Sequence, residues 1–221
     1  MPKVQADDMT LRVQEVLDKF GSPPLAETPL AKKACSPTPE GVLAMIIDAM
    51  LKSRPVQHGL SQRTVNHLIE VGYHDVNKLS DSTWEERTDV LRESGYNRYR
   101  EQAATNLGAL AEFVQEKYDG DLNNLLQQGR AERDEVGRLV KDIKGVGDLA
   151  EELFLNNVQS VWPSMTPFVD SRSLKTADEI GIGTDVEAIY DAVQRDPMKM
   201  SRLANGLSTV RLEYRQQGIS I

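Results

Sequence analysis

Residues 132–156 read ERDEVGRLVKDIKGVGDLAEELFLN: two helix-like runs joined by a glycine turn. Val136, Leu139, Val140 and Ile143 share one face of the first run. Gly145-Val146-Gly147 makes the turn, and residues 148–156 carry the second run. Two glycines permit a tight reversal and leave the backbone open to close approach. The amides after Gly145 then point outward at the positive end of the second helix. That geometry binds a phosphate without reading any base. A plain helix–helix connection would use the same residues. Asp148, Glu151 and Glu152 suit a helix N-terminus but sit poorly beside a phosphate.

Just downstream stands Pro167-Phe168-Val169-Asp170-Ser171-Arg172. Asp170 immediately precedes a helical run over 171–180 and makes a good N-cap. Capping and chemistry are compatible at such a position. Amide donors and the helix dipole favour the anionic form of a capping carboxylate. An anion beside a sugar C1′ stabilises the positive charge that builds during glycosidic cleavage.

Outward from these segments, nearly every element reads as helix. Residues 9–20 place Met9, Val13, Val16, Leu17 and Phe20 on one stripe. Residues 21–39 hold five prolines and read as an extended linker or arm. Residues 41–53 are apolar almost all round, which predicts a central buried helix. Further helices are predicted at 60–71, 98–118, 121–127, 185–194 and 198–216. Ser82-x-x-Glu85 reads as a capping box opening a helix through Arg92. Strand signals are weak, because 167–169 is short and its proline cannot donate to a ladder. Short connections and no repeat period predict an all-α fold.

Composition bounds the chemistry. The chain has 221 residues, 39% hydrophobic and 27% charged, as in an ordinary globular protein with a sizeable core. No run of about 18 apolar residues exists, and the start lacks the charged-then-apolar pattern of a secretory leader. The expectation is an intracellular protein, nuclear or cytoplasmic according to organism, with no membrane partner. Cys35 is the sole cysteine, so an internal disulfide and a four-cysteine iron–sulfur cluster are excluded. His58, His67 and His74 lack metal-site spacing and read as surface positions. The net charge of −8 argues against nucleic-acid binding, although a local basic face can coexist with an acidic remainder.

Four ordered segments resemble the helix–hairpin–helix DNA glycosylase superfamily, the endonuclease III-like group, over about residues 41–194. Leu139-x-x-x-Ile143-Lys144-Gly145-Val146-Gly147 is similar to its Leu-Pro-Gly-Val-Gly hairpin, with Lys144 in place of the proline. Phe168-Val169-Asp170-Ser171-Arg172 is similar to its Val-Asp-Thr-His/Arg segment. Gly41-Val42-Leu43-Ala44-Met45-Ile46-Ile47 resembles its first buried helix. Gly95-Tyr96-Asn97-Arg98-Tyr99-Arg100 resembles its Gly-Tyr-Asn-x-Lys-Ala loop.

The resemblance implies a two-lobe all-α fold: a six-helix lobe over 40–160, and a second lobe from 1–39 and 161–221 carrying the aspartate loop. It implies base flipping and duplex DNA containing a lesion as partner. Asp170 would be the catalytic residue, with Lys144, Gly145, Val146, Gly147 and Arg172 on the DNA backbone. A monovalent cation on the hairpin carbonyls would be the one bound ion, with no cofactor and no iron–sulfur cluster. Arg54, Tyr96, Asn97 and Arg98 fall at the base gap or cleft; Arg54 equally suits a solvated helix end. With Arg100 and Lys175 these cations would form a basic face. Trp84, Trp162, Tyr96 and Tyr99 are the stacking candidates. Bifunctional members carry a lysine where this chain has Leu149, so no Schiff-base nucleophile stands there and β-lyase activity is not expected. The rival readings are a non-catalytic module that keeps the fold to bind DNA or protein, and a small helical regulator unrelated to DNA.

Overall fold

A computed structural model describes residues 3–31 and 36–216, with side chains over 8–31 and 36–214. Cys35 lies outside the described residues. The described residues form twelve α-helices and no strand, the all-α architecture that the apolar spacing predicts. In order these are α1 Lys3–Lys19, α2 Pro39–Lys52, α3 His58–Glu70, α4 Val76–Asp81, α5 Trp84–Glu93 and α6 Arg100–Tyr118. There follow α7 Asn123–Gln128, α8 Arg133–Lys141, α9 Asp148–Val158, α10 Ser171–Glu179, α11 Val186–Ala192 and α12 Pro197–Gln216. No helix among the described residues is long and apolar enough to cross a membrane. The chain divides into two units, Leu25–Phe154 and Met1–Pro24 with Leu155–Ile221.

In the first unit, α2 supplies the centre. It is buried from Gly41 to Leu51, as its all-round apolar sequence requires, and Thr38 with Pro39 starts it. α2 packs on α3, α3 on α5, α5 and α4 on α6, and α7 on α8. Arg87 ties α5 to α6. Its Nε donates to Ala104 O at 2.9 Å and its Nη1 to Ser82 O at 2.6 Å. In the second unit, Val13, Val16 and Leu17 of α1 join Val169, Ala177, Ile189, Leu203 and Leu207 in one core. There α12 packs on α10 and α1, and α11 on α1.

Three local expectations need correction. The capping box is Thr83 with Glu86, one residue later than Ser82 and Glu85; Glu86 N donates to Thr83 Oγ1 and Thr83 N to Glu86 Oε2. A short helix, α4, was not expected: Asp75 caps it and only six residues follow, too few for periodicity to register. The 21–39 segment is not extended where it is described. It turns at 24–31, burying Leu25 and Leu30, with Thr28 hydrogen-bonded to Leu25 O at 2.8 Å.

Candidate functional site

The hairpin belongs to the Leu25–Phe154 unit. Ile143 is buried behind the end of α8, and Val146 N donates to Ile143 O at 3.0 Å, closing the turn. Gly145 has φ +90°, which side-chain-bearing residues rarely adopt. A Cβ there would stand 2.6 Å from Asn106 Cγ and closer still to its Nδ2, so Asn106 fills that space. Gly147 faces open space. Its carbonyl accepts from Glu151 N at 3.0 Å, which makes it the first acceptor of α9. The first amides of the helix have no intrahelical acceptor, and Gly147 has no side chain to cap them.

Charge around this turn is mixed. Lys144 is exposed, and among the described residues neither it, Arg54 nor Arg172 has a carboxylate partner. Lys141 Nζ lies 3.2 Å from Asp148 Oδ1. Glu151 tucks against Gly137 of α8. Burial pushes its carboxyl above the usual carboxylate range; Lys141 opposes this, and Glu152, Asp148 and Asp134 add to it. Ile143 O accepts from Val146 N and Gly147 O from Glu151 N, at 3.0 Å each, and a carbonyl that accepts one amide keeps a second lone pair.

Asp170 belongs to the other unit and is the N-cap of α10. Its Oδ1 accepts from Arg172 N and Ser173 N, both at 3.1 Å. Its Oδ2 accepts from Asn156 Nδ2 at 2.7 Å, while Asp170 N donates to Asn156 Oδ1 at 2.9 Å. One turn further along, Gln159 repeats the pattern on the same loop. Phe168 N donates to Gln159 Oε1 at 3.1 Å, and Gln159 Nε2 donates to Phe168 O at 2.9 Å and Asn156 O at 3.1 Å. The side-chain amides of Asn156, in α9, and Gln159, just past its end, thus act as a strand partner for residues 168–170. Asp170 is 1% exposed, Asn156 1% and Gln159 0%. Ser173 Oγ, also buried, has no hydrogen-bond partner among the described residues.

Asn156 and Gln159 were missed in the sequence. The signal was weak: Asn156 and Gln159 stand among Leu155, Val158, Val161 and Trp162, but Asn157 and Ser160 between them are polar too.

The remaining candidates separate by burial. Arg54 and Tyr96 line a shallow pocket with Leu51, Tyr99, Gln102 and Asn106. Its enclosed volume is about 10 Å³, room for about one water. Tyr96 is 1% exposed and donates weakly to Leu51 O at 3.4 Å. Burial pushes its phenol up to about 12, with the Arg54 cation pulling partly back. Trp162 is also buried, so both rings pack the interior rather than offering a stacking face. Asn97 and Arg98 are exposed, with the Arg98 guanidinium 5.2 Å from the Tyr99 ring centre. Trp84 is 39% exposed, its Nε1 donating to Thr105 Oγ1 at 3.0 Å. Arg172 is exposed; Lys175 and Arg100 face Glu179 and Glu101 at 3.5 and 3.8 Å.

The chain matches no protein-family profile, and no curated protein matches it. Among solved structures it is similar to a trapped endonuclease III–DNA covalent intermediate, an estranged-adenine complex. The match has 16% identity and a TM-score of 0.47, over 90% of this chain and 84% of that one.

Proposed function

We propose that this chain is a monofunctional DNA glycosylase, hydrolysing the bond between a damaged or mispaired base and its sugar in duplex DNA. The observation that carries the proposal is the Asp170 carboxylate, fixed by three hydrogen bonds in the segment that follows the glycine hairpin. In the reaction, water adds to C1′ as the C1′–N bond breaks, and the base leaves with the bonding pair. Asp170 stabilises the cationic sugar and takes a proton from the water. That proton, or its equivalent from solvent, ends on the departing base. The amides at the start of α9, with Lys144, hold a backbone phosphate, and a monovalent cation on the hairpin carbonyls belongs to the same reading. Leu149 offers no amine for a Schiff base, which supports hydrolysis without strand cleavage. Because Asp170 is only 1% exposed, the flipped nucleotide has to displace its cover.

That same burial, together with the acidic Asp148, Glu151 and Glu152 at the start of α9, favours one alternative: a module that binds DNA or protein without chemistry. Incubation with a panel of lesion-bearing duplexes followed by alkaline cleavage separates the two. The glycosylase reading expects strand breaks only after alkali. It also expects Asp170→Asn to lower excision by at least about 100-fold; asparagine keeps the cap through Oδ1 but sets a second donor against Asn156 Nδ2, so a melting curve first checks that this variant folds. Full excision by Asp170→Asn sinks the mechanism.

A further inference from the structure

We propose that Asn156 is a positioning residue that makes Oδ2 of Asp170 the oxygen presented to the sugar, a role that rests on the glycosylase reading. A carboxylate oxygen has two acceptor sites. Both sites of Oδ1 are taken by Arg172 N and Ser173 N, at 3.1 Å each. Oδ2 accepts one bond, from Asn156 Nδ2 at 2.7 Å. One acceptor site of the carboxylate therefore remains, and it lies on Oδ2.

Asn156 also fixes the backbone that carries this oxygen. Its Oδ1 accepts from Asp170 N at 2.9 Å, so the residue closes a two-bond ring that sets both the main chain and the side-chain rotamer. The ring is buried, where hydrogen bonds are electrostatically stronger than in water. Asn156 is itself anchored, its carbonyl accepting from Gln159 Nε2 at 3.1 Å. The helix amides satisfy the cap through Oδ1, so the Asn156 bond acts on Oδ2 alone and keeps that buried oxygen partnered.

Asn156→Asp isolates the single bond. It keeps the shape of the side chain and an acceptor for Asp170 N, but it sets an oxygen against Oδ2 in place of the donor. Two carboxylates about 3 Å apart repel, so the pair takes up one shared proton at a higher pH than a lone carboxylate does. One shared proton restores a donor to Oδ2, so acid repairs the lesion. At about pH 7.5, Asn156→Asp is expected to excise about 100-fold more slowly than the wild type. At about pH 5.5 it recovers at least about 10-fold relative to the wild type. Affinity for an abasic duplex, measured at both values, stays within about threefold.

If Asn156→Asp does not fold, as judged by its melting curve, Asn156→Ala serves instead. It is expected to lose about 10- to 100-fold in single-turnover rate at unchanged abasic affinity, with no recovery in acid. Wild-type excision by either variant overturns the proposal. So does an Asn156→Asp loss that acid leaves unchanged, or a parallel loss of excision and abasic binding in Asn156→Ala, since each marks a purely structural role. A wild-type chain that releases no base from any duplex overturns the glycosylase reading, and with it this role; the wild-type reaction tells that failure from the failure of Asn156 alone.

Discussion

The hairpin turn and the aspartate loop each end at the N-terminus of a helix, α9 in one case and α10 in the other, and they treat that terminus in opposite ways. The hairpin enters α9 through Gly147, which faces open space and has no side chain to cap the first amides. The loop enters α10 through Asp170, whose own carboxylate takes the amides of Arg172 and Ser173. In the proposed function the hairpin holds a phosphate, whereas the loop brings its own negative charge to a fixed place. Their supports differ too. The hairpin is shaped by a glycine with φ +90° and one neighbouring asparagine, whereas the loop is gripped by two amide rings, from Asn156 and Gln159.

The contrast can be broken first at the loop. Gln159→Ala removes three hydrogen bonds, with Phe168 N, Phe168 O and Asn156 O, one of them buried and two half-buried. The expected loss is about 3 kcal/mol of stability, a fall in Tm of about 6–12 °C for a chain this long. A calorimetric scan checks it, and an unchanged Tm would mean that Gln159 does not hold the loop. Gly145→Ala strikes the hairpin. A φ of +90° and contact with Asn106 together cost about 2–3 kcal/mol, and duplex affinity falls with the turn's shape. Retention of full duplex affinity by that variant would remove the hairpin from the DNA interface.

Lys144→Ala leaves the fold intact because its side chain is exposed. It is expected to weaken duplex binding a few-fold, to about the same degree for every sequence, and to lower the salt slope by about one. Salt titrations of the two proteins read this directly. The smallest effect is at Glu151, where the sign follows from burial. The folded chain raises this carboxyl above its ordinary value of 4.5, so it binds the proton more readily than the unfolded chain. The associated stability is intact below that ordinary value and is lost as pH rises through the raised one. Glu151→Gln should therefore melt about 1–2 °C above wild type at neutral pH, with the gap closing near pH 4. Melting curves across that range check it, and a gap that widens in acid contradicts the assigned cause.

What could be read in the sequence follows from how local each feature is. The stripe of Val13, Val16 and Leu17, the all-apolar α2 and the Gly145 turn depend on spacing within a few residues, and the sequence shows them directly. Asp170 as an N-cap was legible for the same reason. The exceptions are short. α4 has too few residues to display a period, and Ser82 and Thr83 compete for one cap that only the backbone geometry assigns to Thr83. Tyr96 and Trp162 looked like stacking rings, because sequence cannot separate an aromatic that packs the core from one that faces a ligand.

The sequence by itself determined an all-α chain, a glycine turn between two helices and a carboxylate at the head of a third, since periodicity, φ preference and capping are properties of neighbouring residues. Only the tertiary structure decided which oxygen of Asp170 is left with an open acceptor site. That depends on Asn156, 14 residues away in the chain and 2.7 Å away in space, and on Gln159 beside it. A side-chain amide carries no mark of its partner until packing brings the two together and excludes the water that would otherwise satisfy both.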